Sequence, residues 1–297
     1  MHSTISFFQA IVLGLTQGVT ELFPISSLGH GVLLPALFGW HNLVGAETQK
    51  TGFYLAFLVG LHVGTAVGLL VFYRRTWIKL FGGLARQAKS PGGLKRFAAL
   101  NDPSTDKDYR LLALLVIGTI PVGIIGLVFE KKLRELFSKP LAAAIFLTIN
   151  GVILLGGEFL RRRTQTKATK ASLDTLSSTS ALTVGSSQIL ALFAGISRSG
   201  VTIVAGLLRG LDHEDSANFA FLLATPVILL AGLYELPKLL GPTGDGIRVQ
   251  SVVGAVFAGV ASYLSARFLT RWFHSHTLWP FAIYSLVFGA GCVAYFA

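Results

Sequence analysis

Residues 53–73 read FYLAFLVGLHVGTAVGLLVFY, and Arg74 and Arg75 follow them directly. An apolar run of about 20 residues is long enough to cross the hydrocarbon core of a bilayer as a helix. Comparable runs lie near residues 5–23, 26–40, 111–129, 140–160, 181–208, 217–240, 249–269 and 278–297. The chain is therefore predicted to be mostly embedded in a membrane.

The composition agrees with a membrane protein and excludes most soluble classes. Of the 297 residues, 52% are hydrophobic and 13% are charged, whereas a soluble domain carries about 25% charged residues. The mean hydropathy is +0.65. The apolar runs lack the alternation of a β-barrel, so we predict an all-α polytopic membrane protein.

The positive charge lies mainly in the short loops between the apolar runs. The formal net charge is +11, and in a soluble protein it would suggest nucleic acid. Membrane proteins instead place Lys and Arg in short cytoplasmic loops. The basic loops 74–110 and 161–180 are therefore predicted to be cytoplasmic, with the bilayer as a partner and no nucleic acid.

This placement of the loops fixes a topology. Six apolar runs then make full crossings, whereas the segments 5–40 and 181–208 must each start and end on one side. Each of these two segments is predicted to form a re-entrant helical hairpin. The chain becomes a single membrane domain of two inverted-topology repeats, residues 1–160 and 181–297, joined by the basic linker 161–180. Such repeats, with broken helices meeting near the midplane, build binding sites in membranes.

The first hairpin carries many polar groups for a membrane segment. Gln17 and Glu21 are four residues apart and share one face of a helix, which a proline then ends. Ser26 and Ser27 suit the start of a new helix, and His30 lies one turn further on. A carboxylate, a hydroxyl and an imidazole can thus converge, and ionisable residues at membrane depth are functional by default. Ser26 is explained equally well as a helix cap alone.

The second hairpin carries a lone arginine between hydroxyls and glycines. It reads Gly195-Ile196-Ser197-Arg198-Ser199-Gly200-Val201-Thr202. A guanidinium matches phosphate oxygens, and the free N–H groups of a helix start favour an anion. We predict a phosphate site in which Arg198 is assisted by Ser197, Ser199 and Thr202.

The other polar residues of the apolar runs are interpreted as structural. His62 lies in a clean apolar run and is read as a packing or supporting residue. Glu158 and Glu235 lie near helix ends and are read as interfacial, and Cys292 is expected to be buried. The remaining histidines are read as surface residues: His2, His41, His213, His274 and His276.

At these two segments the chain resembles the undecaprenyl pyrophosphate phosphatase family of the bacitracin-resistance type. The first family motif is Glu or Gln, three residues and Glu, then Pro-x-Ser-Ser and a His, and it runs here from Gln17 to His30. The second motif, Pro-Gly-x-Ser-Arg-Ser-x-x-Thr, runs here from Ala194 to Thr202. The resemblance covers essentially the whole chain. Gln17 stands where many members have Glu, and Ala194 where Pro is usual, and either departure would fit a lower activity or a shifted substrate.

The resemblance implies hydrolysis of undecaprenyl pyrophosphate to undecaprenyl phosphate and inorganic phosphate, which recycles the lipid carrier of cell-wall synthesis. It places the protein in the bacterial inner membrane, with the active site facing the periplasm or exterior. A polyprenyl pyrophosphate lipid is the implied substrate, and a homodimer remains open. A divalent cation, Mg²⁺ or Ca²⁺, is also implied, and Glu21 with Gln17 could bind it because both ions favour oxygen ligands. The predicted topology places the loop 130–139 outside, although this loop is basic.

We expect Arg198 to hold the phosphates together with Ser26 and the hydroxyls of the second hairpin. Ser27, activated by His30 or Glu21, is the preferred nucleophile, and His30 itself or an activated water is the alternative. A different class of protein also fits the pattern, namely a non-hydrolytic carrier that flips polyprenyl phosphates or moves another anion. Phosphate release by the purified protein separates the two classes.

Overall fold

A computed structural model describes residues 5–44, 53–90, 100, 102, 105–137, 139–164 and 171–297, without the side chains at 44, 130–137, 164 and 235. Within these ranges all regular structure is helical. The α-helices are α1 (Phe7–Thr20), α2 (Ser27–Leu37), α3 (His41–Val44), α4 (Phe53–Phe72), α5 (Arg74–Lys89), α6 (Lys107–Phe137), α7 (Pro140–Thr164), α8 (Ser178–Ser187), α9 (Arg198–Leu208), α10 (His213–Leu240), α11 (Arg248–Ser275) and α12 (Trp279–Phe296).

The six predicted crossings are confirmed as six helices long and apolar enough to span a bilayer. They lie in α4, α6, α7, α10, α11 and α12, with spans of 18 to 28 residues. Their outer surfaces expose large apolar side chains such as Val67, Ile124 and Val256. Such continuous apolar exposure is typical of a surface that faces lipid rather than water.

Two segments contain short helices that break and resume, and they lie where the sequence predicts the two hairpins. The first is α1 and α2, which are separated by residues 21–26. The second is α8, a 3₁₀ turn at Gln188–Leu192, and α9. Serine side chains cap all four α-helices by accepting a backbone N–H three residues on: Ser6 for α1, Ser26 for α2, Ser177 for α8 and Ser197 for α9.

The caps of the two broken segments follow the same spacing. In the sequence, Ser6 is as far from Ser177 as Ser26 is from Ser197. Gln17 and Gln188 are separated by the same distance. Each segment therefore repeats one local design, in which a capped helix ends, the chain turns, and a second serine caps a new helix.

Small residues bring the crossing helices into close contact and show their relative directions. Along α4, Gly60, Gly64 and Gly68 lie in turn against Ser251, Ala255 and Gly259 of α11, so α4 and α11 run parallel. Close approach through small residues is the usual way that helices associate in lipid.

The other helix pairs follow the same logic. Gly14 and Gly18 of α1 lie against Gly254 and Ala258, so α1 also runs parallel to α11. Contacts of glycines give the directions of three further pairs. α8 and the 3₁₀ turn after it run parallel to α6, with Gly118 against Gly185 and Gly126 against Leu192 of the turn. α12 runs antiparallel to α7 and α10 antiparallel to α4 (Gly151 against Leu286, Gly289 against Thr148; Gly232 against Val63, Gly60 against Leu239).

One interpretation of a polar residue at the basic end of the bundle is wrong. His213 is not a surface residue: it is buried, and its side chain lies 2.8 Å from that of Glu158, which is buried as well. A buried charged group needs such a partner, and here Glu158 of α7 finds it in His213 at the start of α10. His41, His274 and His276 are exposed and Cys292 is buried, as predicted. His2 and the side chain of Glu235 lie outside the described residues.

Candidate active site

The two broken segments meet around a cavity of about 190 Å³. Its polar lining comes from the breaks themselves and from α4, and it comprises Thr20, Glu21, Ser26, Ser27, His62, Gln188, Ser197 and Arg198. Its apolar lining includes Val122 of α6 and Val227 and Ala231 of α10. The lining of the cavity is therefore amphipathic, since it combines charged and polar groups with apolar side chains.

Glu21 lies at the centre of the polar lining and is 6% exposed. Its Oε1 accepts a hydrogen bond from Arg198 at 2.8 Å. Its Oε2 accepts from Gln17 at 3.0 Å and from the hydroxyl of Ser27. The Nε2 atom of His62 lies 3.4 Å from the same oxygen. A carboxylate this buried is stable as an anion only with such partners.

Arg198 is brought to Glu21 from the other half of the chain. It is the first residue of α9, and its side chain is 12% exposed. The guanidinium has five N–H donors. One of them reaches Glu21, and another lies 3.5 Å from the carbonyl of Ala220. Donors therefore remain available to an anion in the cavity.

Ser27 and Ser26 have different roles at the start of α2. Ser27 donates its hydroxyl hydrogen to Glu21 and lines the cavity. Ser26 has a φ of 69°, an unusual value for a residue other than glycine. Its Oγ accepts N–H groups from Gly29 and from Gly195, both at 3.2 Å. Ser26 thus caps its own helix and also connects the two breaks by a hydrogen bond.

His30 points away from Ser27 and does not line the cavity. Its Nδ1 lies 2.7 Å from the carbonyl of Ser26, and its Nε2 lies 2.8 Å from the hydroxyl of Tyr284. A neutral imidazole satisfies both contacts. The ring also stacks on Tyr284 and Phe288 of α12. The arrangement holds α2 against α12 and leaves Glu21 as the group in contact with the Ser27 hydroxyl.

Of the hydroxyl groups of Ser197, Ser199 and Thr202 in the second segment, one lines the cavity and two make contacts within the protein. Ser197 lines the cavity, caps α9 and shares a 3.0 Å hydrogen bond with Ser199. Ser199 is fully buried, and Thr202 donates to the carbonyl of Arg198. Ser199 and Thr202 therefore contact the helix around Arg198 rather than the cavity.

Asn150 of α7, which the sequence did not single out, connects the two breaks. Its Nδ2 donates to the carbonyl of Pro24 at 2.9 Å, and its Oδ1 accepts from the N–H of Ser197 at 2.9 Å. The residue is fully buried. A polar side chain in an apolar run was the available signal, but its partners are far apart in the chain.

The donor set around Glu21 fits a shared metal ion better than a protein-only metal site. Among the described residues no cluster of three or more His, Cys, Asp or Glu side chains could hold a metal, and Glu21 is the one carboxylate that lines the cavity. Gln17 donates to Glu21 and does not line the cavity. Mg²⁺ is often held by one or two carboxylates together with substrate phosphates, and Glu21 with an anionic ligand would satisfy that pattern.

Comparison with known proteins places this site in a family. The model of the family described as bacitracin resistance protein BacA matches residues 10–291, a stretch that includes both breaks. The chain belongs to the BacA family. It is therefore a multi-pass membrane protein.

Curated relatives in the BacA family match this chain along its whole length. A Frankia alni protein named undecaprenyl-diphosphatase 2 is 48% identical over 100% of this chain and 99% of its own length. A Mycolicibacterium paratuberculosis protein named undecaprenyl-diphosphatase is 46% identical over the same shares. One from Granulibacter bethesdensis with that name is 42% identical over 97% of this chain and 96% of its own length.

The structure of this BacA-family chain brings together Glu21, Ser27 and Arg198 at one cavity, with Ser26 and Ser197 beside them. His62, interpreted from the sequence as a packing or supporting residue, lies against Glu21 and lines the same cavity. An ionisable residue in the middle of a membrane span was the signal. Its partner could not be inferred, because α4 and the first break meet only in the folded bundle.

Proposed function

We propose that this protein is an undecaprenyl-diphosphatase that cleaves undecaprenyl diphosphate into undecaprenyl phosphate and inorganic phosphate. That reaction recycles the lipid carrier of cell-wall synthesis and would confer bacitracin resistance. The observation that carries the proposal is the Ser27 hydroxyl bonded to Glu21, whose other oxygen is paired with Arg198. A hydroxyl, a base and a guanidinium at one cavity are the parts that phosphoryl transfer requires.

The amphipathic cavity suits the two parts of such a substrate. The diphosphate would bind at the polar lining, where Arg198 has spare donors and Ser197 caps the start of α9. The first apolar units of the polyprenyl chain would pass along the apolar lining that contains Val122, Val227 and Ala231. The rest of the chain can stay in the bilayer, so the enzyme need not extract the lipid.

In the first chemical step the Ser27 oxygen attacks the terminal phosphorus. The bond from that phosphorus to the bridging oxygen breaks, and undecaprenyl phosphate leaves with the electron pair. The hydroxyl proton passes to Glu21, which already accepts it as a hydrogen bond. Arg198 stabilises the charge that develops on the phosphoryl oxygens, the main source of catalysis in phosphoryl transfer.

In the second step a water molecule hydrolyses the phosphoserine. Glu21 first releases its proton to solvent. The water oxygen then bonds to phosphorus as the bond to the Ser27 oxygen breaks, and one water proton passes through Glu21 to Ser27. The other proton stays on the phosphate product. His62, 3.4 Å from Glu21, is placed to keep that carboxylate oriented.

We further propose that Mg²⁺ or Ca²⁺ assists when the diphosphate is bound. Such an ion would neutralise phosphate charge, with Glu21 as the protein ligand and Gln17 as the residue that holds Glu21 in place. Removal of divalent ions with a chelator should lower phosphate release sharply, and added Mg²⁺ should restore it. Equal rates in chelator and in Mg²⁺ would remove the ion from the proposal.

The two halves are proposed to form an inverted repeat of one membrane domain, 1–160 and 181–297 joined by 161–180, each with a re-entrant hairpin. Supporting this, the contact of α1 with α11 has its counterpart in α8 with α6, and the contact of α4 with α11 has its counterpart in α10 with α6. We propose residence in the bacterial inner membrane, with the basic loops in the cytoplasm and the cavity reached from the periplasm. A homodimer stays a hypothesis, which light scattering of the purified protein in detergent tests.

The deciding experiment is phosphate release from undecaprenyl diphosphate by the purified protein in detergent with Mg²⁺. Wild type should release phosphate, and Ser27→Ala should lower the rate by about 1000-fold or more because the nucleophile is lost. Ser251→Ala is the matched control, since it removes another buried serine hydroxyl, whose hydrogen bond in the described structure goes to the carbonyl of Ile247, the residue before α11. Release by Ser27→Ala would assign the attack to water, since His30 does not line the cavity. No release by folded wild type would favour a non-hydrolytic lipid carrier.

A further inference from the structure

A second buried glutamine lines the cavity, and the proposed chemistry has not used it. Gln188 is the first residue of the 3₁₀ turn after α8 and is 1% exposed. It shares the cavity with Glu21, Ser27 and Arg198.

The orientation of the Gln188 amide is fixed by its neighbours. Its Nε2 donates to the carbonyls of Gly118 at 3.3 Å and Gly185 at 3.2 Å. Rotating the amide by half a turn would set Oε1 against those two carbonyl oxygens, where no hydrogen bond can form. The Oε1 atom is buried and has no hydrogen-bond partner in the described part of the chain. A buried acceptor without a donor is costly, so it indicates a missing partner.

Gln188 does not simply repeat the role of Gln17. The two residues occupy equivalent places in the broken segments, but Gln17 donates to Glu21 four residues on. The residue four positions after Gln188 is Leu192. With no carboxylate four residues on, Gln188 donates its N–H groups to backbone carbonyls, and its oxygen has no partner among the described residues.

An unpaired carbonyl oxygen requires a ligand that donates a hydrogen bond. The phosphate oxygens of the substrate are anionic acceptors and would be repelled by it. A water molecule is the complementary ligand, and the cavity of about 190 Å³ has room for one beside a phosphoryl group, since a water takes roughly 30 Å³. Glutamine side chains orient the attacking water in some phosphoryl-transfer enzymes.

We propose that Gln188 is a positioning residue that orients the water which hydrolyses the phosphoserine at Ser27. Its Oε1 accepts one hydrogen of that water, which directs the water oxygen at phosphorus. The bond from phosphorus to the Ser27 oxygen then breaks, and the transferred proton reaches that oxygen through Glu21. This inference rests on the proposed function and concerns only its second step.

The test is a rapid-quench measurement on the full-length protein in detergent, with undecaprenyl diphosphate labelled in its terminal phosphate. Gln188→Leu should slow the second step alone, so labelled phosphoenzyme accumulates and kcat falls about 10- to 100-fold, the range of one lost hydrogen bond. KM should fall with kcat while kcat/KM stays within about twofold, because the first step is untouched. Gln188→Met, which also lacks the carbonyl oxygen, should behave alike and serves if the leucine variant does not fold.

The matched control is Ser187→Ala, which removes a neighbouring hydroxyl that bonds to the carbonyls of Val184 and Val201 and does not line the cavity. In this variant the rates of phosphoenzyme formation and of its hydrolysis should both match those of wild type. A merely structural role for Gln188 would lower both steps together and leave no phosphoenzyme, and that result, or unchanged kinetics, overturns the inference. Failure of wild type to release phosphate would instead reject the proposed function.

Discussion

At the residue scale the site depends on one carboxylate that serves several partners. Glu21 accepts hydrogen bonds from Gln17, Ser27 and Arg198 and lies beside His62. These partners come from the helix before it, the helix after it, and two distant helices. Because an unpaired buried charge is strongly unfavourable, the ion pair with Arg198 helps to join the two halves of the chain as well as prepare the site.

A double-mutant comparison should measure how much the ion pair of Glu21 and Arg198 contributes to stability, separately from its part in catalysis. Arg198→Ala leaves a buried carboxylate without its cation and should lower the free energy of unfolding by about 3–5 kcal/mol. Adding Glu21→Gln removes the stranded charge, so the double variant should be more stable than Arg198→Ala alone. Thermal unfolding in detergent measures both. If the free energy of unfolding lost by the double variant equals the sum of the losses in the two single variants, the two residues are not energetically coupled.

At the element scale the bundle depends on glycines where two helix backbones nearly touch. A Cβ placed on Gly64 of α4 would collide with the backbone carbonyl of Ala255 in α11. Gly68 and Gly18 meet the same helix in the same way. The break that holds Glu21 therefore has its position set by the packing of α1 and α4 on α11.

Gly64→Val should destabilise the protein, because the added methyl groups must push α4 away from α11. The expected loss is about 1–3 kcal/mol or more in the free energy of unfolding, seen as a lower Tm in detergent. Phosphate release should fall too, since His62 lies on the displaced helix. Gly156→Val is the matched control on α7, where a Cβ meets no atom within 4 Å. Equal Tm values for the two variants would contradict the packing argument.

The start of α6 depends on an acidic cap held by a neighbouring helix. Asp106 Oδ1 accepts the N–H groups of Asp108 at 3.0 Å and Tyr109 at 3.1 Å. Arg86 of α5 donates to Asp106 Oδ2 at 2.7 Å. The hydrogen bonds from Arg86 hold the pKa of the Asp106 carboxyl below its usual value. The cap is therefore present while this carboxyl is ionised.

Asp106→Ala should cost about 0.5–2 kcal/mol at neutral pH through the lost cap. The pKa of the Asp106 carboxyl is lower in the folded than in the unfolded protein. The extra stability of wild type over the variant is therefore complete above the unfolded pKa of about 3.9, and it is lost as pH falls through the folded pKa. Tm measured from pH 7 downward should show the two proteins converging in acid. Asp245→Ala, which removes an exposed acid paired with Arg248, should shift Tm little. A constant gap at all pH values would rule out the charged cap.

At the scale of the whole molecule, the helix directions agree with the predicted topology. α4 and α11 run parallel, α7 and α12 antiparallel, and α4 and α10 antiparallel. The start of α6, the end of α7 and the start of α10 therefore share an end of the bundle with α5, where most of the arginines lie. By the positive-inside rule this end should face the cytoplasm.

Cysteine labelling in intact cells should test that orientation. Cys292 is buried, so the background is low. A membrane-impermeant thiol reagent should label Lys139→Cys from outside, and Lys89→Cys only after the membrane is opened. Both positions are exposed at opposite ends of the bundle. Labelling of Lys89→Cys in sealed cells would invert the proposed orientation and place the basic loops outside.

Much of the molecule could be predicted from local pattern. Apolar length identified six crossings, because a membrane helix must satisfy its backbone hydrogen bonds within itself. Polar residues at membrane depth, together with serine caps, located both breaks. The contacts of His30, Ser199 and Thr202 could not be obtained this way, because spacing on a helix shows which residues share a face but not what that face meets. His213 was misread for the same reason, since the residues that bury it, Glu158 of α7 and Phe273 of α11, are distant in the sequence.

By itself the sequence determined the class of protein, the six crossings, the two broken segments and the residues Glu21, Ser27 and Arg198 as one proposed site. Those features follow from hydrophobic length, capping and the cost of burying charge, all of which act locally. Only the tertiary structure decided that His62 faces Glu21, that His30 turns to Tyr284, that Asn150 links the breaks and that the Gln188 oxygen lacks a partner in the part of the chain that the structure describes. Those contacts join residues far apart in the chain, and they depend on helix register, which the close contacts of small residues set in the folded bundle.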